Sequence, residues 1–414
     1  MKLEIERKFL LKSMPDIPPA EMVKIDQFYL KNASGTWERA RSWDSNTKGK
    51  SWIHTVKKSV SKGVNLEDEK FLTEKEFKEF IEKSGMPAAW TILGLSALPT
   101  DHPQNVGMLG MHGNYGPNVL TNDCDVLIAV GMRFDDRVTG RLDKYAKQAK
   151  IIHLDIDPSE IDKNVLAHVG VWGDCKETLP LLTMGIQQKD RTEWLNVFAG
   201  YAKEEYEQCI HEEMHPTAEA LSMAEVIHAV NEITKGDAVM VTDVGQHQMV
   251  TCRYAKFNQT RSNVTSGGLG TMGFGLPAAI GAKFGAPERT VIAVIGDGGI
   301  QMTLQEFGTI MQTGVEVKVV ILNNEFLGMV RQWQQLFMDK RYSFVDIASP
   351  DYVMLANSYK IAAAKVSKRE DLVDAVTKML AHEGSYVLEV MVGKENNVFP
   401  MVPQGCSVSE IRLK

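Results

Sequence analysis

Two short polar motifs, each placed directly after an apolar run, are the parts of this sequence best suited to chemistry. Gly296-Asp297-Gly298-Gly299 follows the apolar residues 291–295, and Asn323-Asn324 follows residues 317–322, an apolar run apart from Lys318. Carboxylate and amide oxygens suit Mg2+, which proteins hold through one or two oxygens together with substrate phosphates. Glycines let the backbone approach a diphosphate closely. The two motifs therefore predict a magnesium–diphosphate site.

The spacing between the motifs favours a site over two unrelated turns. Asp-Gly and Asn-Asn are ordinary turn dipeptides, and either one alone is more typical of a loop. Residues 299–322 place 24 positions between GDG and NN, enough for one crossover helix and one strand. We therefore expect two buried parallel strands with a helix between Met302 and Gln312. Both motifs would then lie at the carboxyl edge of the sheet, where doubly wound folds bind ligands.

Length and composition are those of a soluble globular protein. The 414 residues are enough for two or three domains, and no apolar run approaches the length of a membrane span. The start, MKLEIERKFLLK, is too charged for a signal peptide. Five dispersed cysteines without a CxxC spacing favour reduced thiols over disulfides or zinc, and a net charge of −7 argues against nucleic acid as a partner. We expect a cytoplasmic protein with no membrane or nucleic-acid partner.

Charge is distributed unevenly along the chain. Residues 1–86 hold 17 Lys and Arg and 14 Asp and Glu, which leaves 29 and 39 for the remaining 328 residues. The two parts therefore carry net charges of +3 and −10, which predicts two segments of different origin. We place the junction near residues 84–86, after a predicted helix that begins at Thr73 and ends at Gly85.

Charged residues in segment 1–86 fall at strand-like spacings. Glu4, Glu6 and Lys8 alternate with apolar or other residues, as do Arg39 and Arg41 farther on. Acids and bases on one face of a sheet would suit a metal and a polyphosphate. Solvated charges on half-exposed antiparallel strands are the alternative, and the pattern alone favours that alternative.

The opening EIERKF and the order of the later Arg, Lys and Glu-x-Glu strands resemble the CYTH, or triphosphate-tunnel, family. The resemblance covers about the first half of such a domain. It implies metal-side acids at Glu4, Glu6, Glu67 and Glu69. It implies phosphate-side bases at Lys8, Arg39, Arg41 and Lys57.

Segment 87–187 has a sequence pattern typical of an α/β domain. A glycine-rich stretch, GMLGMHGNYG, precedes a predicted strand at residues 126–130, and a second predicted strand at residues 151–154 is followed by Asp155 and Asp157. Acidic residues after a strand often hold ribose hydroxyls in nucleotide-binding sheets. The segment contains no GxGxxG, so the pattern fits a purely structural α/β unit at least as well as a nucleotide-binding domain.

Segment 188–414 alternates predicted strands and helices, which indicates a doubly wound parallel sheet. The predicted strands are residues 238–242, 291–295, 317–322, 361–366 and 386–392. Loops at residues 244–247 and 266–272 would join the GDG and NN motifs at the carboxyl edge and offer backbone donors to a diphosphate. Taken singly, His247 is typical of an ordinary loop residue, and Met272 is typical of a core residue.

Longer phrases of both segments resemble the catalytic subunit of acetolactate synthases over about residues 87–414. The phrases are LPTDHP, GMLGMHG, RFDDRVTG, HLDIDPSEI, SGGLGTMGFGLPAAIGA, GDGG, ILNNEFLGMVRQWQ and PMVPQG, and GDG-x24-NN is the thiamine-diphosphate motif. The resemblance implies a partial α/β flavin-binding domain at 87–187 and a doubly wound thiamine-diphosphate domain at 188–414. A partial antiparallel CYTH-like segment, 1–86, would precede them.

The resemblance also implies roles for individual residues. Mg2+ would be held by Asp297, Asn324 and the carbonyl of Phe326. Thiamine diphosphate would be contacted by Gln246, His247, Gly270, Met272, Gly296, Gly298 and Gly299. FAD would be contacted by Met111, His112, Gly113, Arg133 and Asp155. The pocket of the second substrate would include Arg137, Met329 and Trp333.

The implied reaction decarboxylates pyruvate and adds the product to a second 2-keto acid, pyruvate or 2-ketobutyrate, in branched-chain amino-acid biosynthesis. The implied assembly is a homodimer or tetramer, with or without a regulatory small subunit. In the family, the activating glutamate lies in an N-terminal domain that residues 1–86 do not resemble, so we expect this chain alone to be nearly inactive. Two other hypotheses stay open: a metal-dependent triphosphatase, and a non-catalytic fusion or gene-assembly artefact.

Overall fold

The computed structural model describes residues 2–5, 23–31, 36–45, 49–61, 64–67 and 73–414. The chain divides into two compact units, Met1–Leu72 and Thr73–Lys414. Among the helices of these described ranges, none is long and apolar enough to cross a membrane. The division between units lies before the predicted junction at residues 84–86, and the domain limits proposed from the sequence stay predictions.

The first unit contains one antiparallel sheet. Its strands are β1 (Lys2–Ile5), β2 (Val23–Lys31), β3 (Thr36–Ser45), β4 (Gly49–Ser61) and β5 (Val64–Glu67), in the order β1-β5-β4-β3-β2. The register places Lys57 opposite Glu67, and Arg39 and Arg41 are two positions apart on β3. Glu6, Lys8 and Glu69 lie outside the described residues. The resemblance to the triphosphate-tunnel family stays a prediction.

The second unit begins with short α/β elements around a small parallel sheet. The elements are α1 (Thr73–Ser84), β6 (Ala88–Trp90), β7 (Asn105–Met108), α2 (Tyr115–Leu120), β8 (Val126–Val130), α3 (Asp136–Thr139), β9 (Lys150–Asp155), β10 (Val169–Trp172) and α4 (Cys175–Gly185). Strands β10, β9 and β8 pair parallel in that order, and β6 pairs parallel with β7. The predicted strands at 126–130 and 151–154 are confirmed. The sequence did not indicate β6, β7 and β10, because runs of three or four residues are too short to show a period.

A larger sheet follows. Its elements are α5 (Thr192–Glu205), α6 (His211–Met214), α7 (Met223–Thr234), β11 (Val239–Thr242), α8 (Gln246–Tyr254), β12 (Asn263–Thr265), α9 (Gly275–Gly285), β13 (Val291–Gly296), α10 (Asp297–Thr303), α11 (Phe307–Thr313), β14 (Lys318–Asn323), α12 (Gly328–Phe337), α13 (Tyr352–Ser358), β15 (Ala362–Val366), α14 (Arg369–Ala381) and β16 (Tyr386–Met391). Six parallel strands are ordered β12-β11-β13-β14-β16-β15.

Apolar side chains cover both faces of this six-stranded sheet. On β13, Ile292 and Val294 join one buried cluster with residues of α7, α8 and α14. Ala293 and Ile295 join a second buried cluster with residues of α9, α11 and α13. Burial on both faces explains why the strands are continuous apolar runs instead of alternating ones. The predicted doubly wound parallel sheet is therefore confirmed.

The helix between the two motif-bearing strands begins earlier than the sequence predicted. The prediction was a helix from Met302 to Gln312, whereas α10 begins at Asp297 and continues through a 3-10 turn, Leu304–Glu306, into α11. Gly298 and Gly299 have no side chains and so add nothing to a helical pattern of apolar residues. As a result, Asp297 is the first residue of a helix and sits directly at the end of a central strand.

Candidate active site

The carboxyl ends of three central strands open into one cleft. The cleft is lined by residues 244–247, 296–299 and 326–330, together with Met223, Met272, Leu322 and Asn324. The structure thus brings together ten of the residues predicted for the metal, the diphosphate and the substrate: Gln246, His247, Met272, Gly296, Asp297, Gly298, Gly299, Asn324, Phe326 and Met329.

Three predicted residues are not part of the lining of this cleft: Gly270, Trp333 and Arg137, the last of which lies on α3. Gly270 adopts a φ of 60°, the left-handed conformation that glycine tolerates best, and a Cβ there would have no heavy atom within 4 Å. Trp333 lies on α12, one turn after Met329, and its ring packs against Phe337 with the centroids 4.9 Å apart. The roles assigned to these three residues stay predictions.

Asp297 is a buried carboxylate, only 1% exposed. The Ser349 hydroxyl donates to Asp297 Oδ2 at 3.2 Å, and the Tyr352 hydroxyl donates to the Asp297 carbonyl at 2.8 Å. Burial raises the pKa of Asp297 to about 6, although the hydrogen bond from Ser349 and bonds from backbone N–H groups oppose the rise. A bound cation would favour the charged carboxylate, so this side chain suits a metal ligand.

The two asparagines at the end of β14 have different hydrogen-bond partners. Asn323 donates from Nδ2 to Glu389 at 2.8 Å and accepts the Glu325 N–H at 3.0 Å. Asn324 accepts the Phe326 N–H at 3.2 Å and lines the cleft. Asn323 therefore fixes the turn, while Asn324 and the following backbone offer oxygens to a ligand.

Glu389 is a supporting residue that the sequence did not indicate. It is 1% exposed, and its carboxylate accepts Lys365 Nζ at 3.0 Å in addition to Asn323. Because Glu389 lies on β16 and Lys365 on β15, the sheet itself brings these charges to the turn. A lone glutamate within an apolar strand is the signal that could have found this site.

Gln246 and His247 open α8 on the other side of the cleft. Gln246 Nε2 donates to Gln332 Oε1 and to the Asn396 carbonyl, both at 2.9 Å. His247 Nε2 is buried and has no hydrogen-bond partner within the protein. Burial lowers the pKa of His247 to about 4, against the opposing effects of the Asp243 charge and carbonyl. At neutral pH this neutral imidazole is free to bind a polar ligand group.

Glycine is required where the backbone meets the His247 ring. A Cβ on Gly296 would lie 2.8 Å from His247 Nδ1, and a Cβ on Gly245 would lie 2.8 Å from His247 Cε1. Real Cβ atoms do not approach a neighbour this closely. The first glycine of the GDG motif therefore makes room for the imidazole as well as for a ligand.

The donor set of the cleft fits Mg2+ with a diphosphate. The described residues contain no group of three or more His, Cys, Asp or Glu that could hold a metal ion. The cleft supplies one carboxylate, the amides of Gln246 and Asn324, and backbone oxygens, so the remaining ligands of an ion would come from a substrate or from water. Mg2+ is usually bound in this way, through few protein oxygens and through phosphates.

The segments predicted to contact a flavin meet around the small parallel sheet. The Gly131 N–H donates to the Leu154 carbonyl at 2.8 Å, which joins the ends of β8 and β9. Arg133 follows β8 by three residues, and Asp155 is the last residue of β9. The Met111 N–H donates to the Arg137 carbonyl at 2.7 Å, which joins the Met111-His112-Gly113 turn to the segment after β8. The structure therefore brings these three predicted segments together.

His112 makes the second unit sensitive to acid. It is 6% exposed with an unpartnered Nδ1, and burial together with the charges of Arg253 and Arg137 lowers its pKa to about 4, against weaker backbone hydrogen bonds. Between pH 6.5 and 4 the unfolded histidine binds a proton that the buried one does not. The free energy of unfolding should therefore decrease as the pH is lowered from 6.5 to 4. At pH 5, His112 alone should account for a loss of about 2 kcal/mol.

Denaturant unfolding at pH 7 and pH 5 measures this effect. His112→Gln is expected to lose less stability between the two pH values than the unchanged chain does. His382→Gln, at an exposed position, serves as the control and should keep the full pH dependence. An equal dependence in the His112 variant would refute this account.

Gly113 occupies a position where no side chain fits. A Cβ there would lie 2.4 Å from the Met108 carbonyl oxygen and 2.7 Å from the Leu109 carbonyl carbon. Backbone atoms cannot rotate away, so Gly113→Ala should destabilise the second unit by about 3 kcal/mol. Gly281→Ala is the matched control, because a Cβ at this α9 position meets nothing within 4 Å. The control should raise the unfolding free energy by about 0.5–1 kcal/mol, and thermal unfolding compares the two.

Comparisons with known proteins agree with this geometry. The profile of the family "Thiamine pyrophosphate enzyme, C-terminal TPP binding domain" matches residues 243–390, and that of "Thiamine pyrophosphate enzyme, central domain" matches residues 66–182. The first of these ranges includes the whole set of cleft residues from the GDG and NN motifs.

Several acetolactate synthase subunits are similar to the chain. The isozyme 2 large subunit of Escherichia coli (strain K12) is 41% identical over 338 residues, 81% of this chain and 60% of that protein. The large subunit of Lactococcus lactis subsp. lactis (strain IL1403) is 40% identical over 337 residues, 81% of this chain and 58% of that protein. The chain thus spans somewhat more than half the length of these relatives.

A third relative aligns over almost the whole chain. The acetolactate synthase large subunit of Buchnera aphidicola subsp. Acyrthosiphon pisum (strain APS) is 34% identical over 454 aligned positions, covering 99% of this chain and 77% of that protein. The chain therefore belongs to the acetolactate synthase large subunit family and contains its thiamine pyrophosphate enzyme central and C-terminal domains.

Proposed function

We propose that this chain is a thiamine diphosphate-dependent carboligase that decarboxylates pyruvate and joins the product to pyruvate or 2-ketobutyrate. The observation that carries the proposal is the cleft itself, in which buried Asp297, Asn324 and the unpartnered His247 Nε2 meet among close-packed glycines. Membership of the acetolactate synthase family supports the choice of reaction.

The metal side of the proposal uses the oxygens of the GDG and NN motifs. Asp297, Asn324 and the carbonyl of Phe326 would hold Mg2+, which in turn would bind the diphosphate oxygens. Ser349 keeps Asp297 Oδ2 in place, and the bond from Asn323 to Glu389 keeps the NN turn in place. Positioning bonds of this kind usually change metal affinity 10- to 100-fold.

The diphosphate side uses neutral donors. Gln246 and His247 open α8, so their backbone N–H groups at the start of this helix would bind phosphate oxygens, and neutral His247 adds no buried positive charge. The Gln246 NH2 group is already used by Gln332 Oε1 and the Asn396 carbonyl. Gly298 and Gly299 let the backbone approach a ligand closely. Thiamine diphosphate, when bound, supplies the chemistry that removes CO2 from a 2-keto acid and carries the product to the second one.

The remaining assignments extend the site outward. Met272 would support the bound cofactor, and Gly270 would leave room beside it. Arg137, Met329 and Trp333 would shape the pocket of the second 2-keto acid. FAD would be bound by Met111, His112, Gly113, Arg133 and Asp155, where the unpartnered Nδ1 of buried His112 is one free polar atom. A homodimer or tetramer, with or without a regulatory small subunit, would be the working assembly.

Titration calorimetry with the full chain tests the proposed function. Thiamine diphosphate should bind in the presence of Mg2+ and should bind far more weakly when EDTA removes the metal. No binding at millimolar cofactor with Mg2+ would overturn the proposal. Product analysis after long incubation with pyruvate then tests the reaction class, because turnover by this chain alone is expected to be very low. Acetolactate is the expected product, whereas acetaldehyde or acetate would assign the cleft to another thiamine-dependent reaction.

A further inference from the structure

Asp243 is a buried carboxylate beside the cleft to which the function above assigns no role. It follows β11 and has 0% of its surface exposed. Its Oδ1 accepts the Val244 N–H at 2.8 Å and the Gly273 N–H at 3.1 Å, and its Oδ2 accepts the Gly275 N–H at 2.8 Å. Both oxygens are therefore used by backbone donors.

Three chain segments converge on this carboxylate. The first is its own loop, which leads to Gln246 and His247. The second is the turn after Met272, held through the N–H groups of Gly273 and Gly275. The third is the turn after β13, because a Cβ on Gly299 would lie 2.6 Å from Asp243 Oδ1. Each segment contributes lining residues to the cleft.

The chemistry at this position requires a carboxylate. A buried charge is costly unless hydrogen bonds satisfy it, and here the bonds come from the backbone, since the ion pairs found among the described side chains do not include Asp243. An asparagine would turn its NH2 group toward one of the N–H donors. The isosteric amide would therefore lose one bond and add a repulsive contact.

A role in stability alone would not require these three segments to meet at one side chain. The bonds fix the Met272 turn relative to the Gln246-His247 loop, and the close contact with Gly299 fixes both relative to the GDG turn. A misplacement of about 1 Å in such a site is enough to weaken binding strongly.

We infer that Asp243 is a positioning residue that holds the three ligand-binding segments of the cleft in register and thereby sets the affinity for thiamine diphosphate and Mg2+. The inference rests on the proposed function. Asp243 is not among the lining residues of the cleft and would act through its neighbours.

Titration calorimetry of the full chain with thiamine diphosphate and Mg2+ tests the inference. It is run at a temperature where near-ultraviolet circular dichroism shows each protein to be fully folded. Asp243→Asn is expected to bind about 10- to 100-fold more weakly than the unchanged chain. Met379→Ala is the control, because Met379 is a fully buried core residue of α14 away from the cleft. The control should lower the unfolding temperature and leave the dissociation constant unchanged.

A second variant disturbs the same carboxylate from a residue outside the lining of the cleft. Gly275→Ala should displace Asp243, because a Cβ there would lie 2.9 Å from the Asp243 backbone nitrogen and 3.0 Å from Asp243 Cβ, and it should weaken binding to a similar degree. The double variant should lose less than the product of the two single losses, since both act on one interaction. If Asp243→Asn does not fold, Gly275→Ala decides alone.

The possible results separate the two proposals. If the unchanged chain fails to bind thiamine diphosphate, the proposed function is overturned. If the unchanged chain binds and Asp243→Asn or Gly275→Ala binds equally well, only the positioning role is overturned. A loss of affinity in Met379→Ala equal to that in Asp243→Asn also overturns the positioning role, because stability alone would then explain the loss.

Discussion

Asp297→Ala is expected to weaken Mg2+-dependent binding of thiamine diphosphate at least about 100-fold. Loss of a residue that only orients a metal ligand already costs 10- to 100-fold in affinity, and Asp297 is the one carboxylate among the lining residues of the cleft. Titration calorimetry at fixed Mg2+ measures the change. Asp374→Ala, an exposed substitution on α14, is the control and should bind as the unchanged chain does.

The stability of the ligand-free protein distinguishes this loss from misfolding. Burial raises the pKa of Asp297 to about 6, so above that pH the ionised carboxylate destabilises the folded state relative to an uncharged residue. Asp297→Asn at pH 7.5 should therefore unfold at the same temperature as the unchanged chain or at a higher one. A variant that binds weakly and also unfolds at a much lower temperature would contradict the assignment.

The sheet and the motifs at its edge could be predicted from the sequence because their signals are local. Residues 291–295 are a continuous apolar run and residues 317–322 are apolar except for Lys318, and β13 and β14 match them to within one residue at each end. Polar residues that end two parallel strands must lie at the same edge of a sheet. That rule alone places Asp297 and Asn324 close together.

The residues that hold the site in place could not be predicted in the same way. Asp243, Ser349 and Glu389 lie far apart in the sequence, and each reaches its partners in the site only when β11, β13, β14 and β16 are assembled. Asp243 and Ser349 alone are indistinguishable in the sequence from ordinary turn residues. Their roles depend on burial and on hydrogen bonds between distant segments, which hydrophobic periodicity does not encode.

Glu205→Gln is expected to destabilise the second unit by about 3–5 kcal/mol, because it leaves a buried charge unpaired. Glu205 and Arg253 are 2% and 1% exposed in their side chains and lie 2.6 Å apart. Glu205 also accepts the Tyr115 N–H at 2.8 Å, and Arg253 donates to the Gly113 carbonyl at 3.0 Å. The pair thereby joins α5 and α8 to the turn proposed to contact FAD.

Denaturant unfolding of the full chain, followed by tryptophan fluorescence, measures the loss. Glu207→Gln is the matched control two residues away, because Glu207 forms an exposed pair with Lys203 at 3.8 Å and should cost no more than about 0.5 kcal/mol. The double variant Glu205→Gln/Arg253→Met removes both charges and should regain part of the stability that the single variant loses. If the double variant is as unstable as the single one, the unpaired charge is not the source of the loss, and the hydrogen bonds to Tyr115 and Gly113 are.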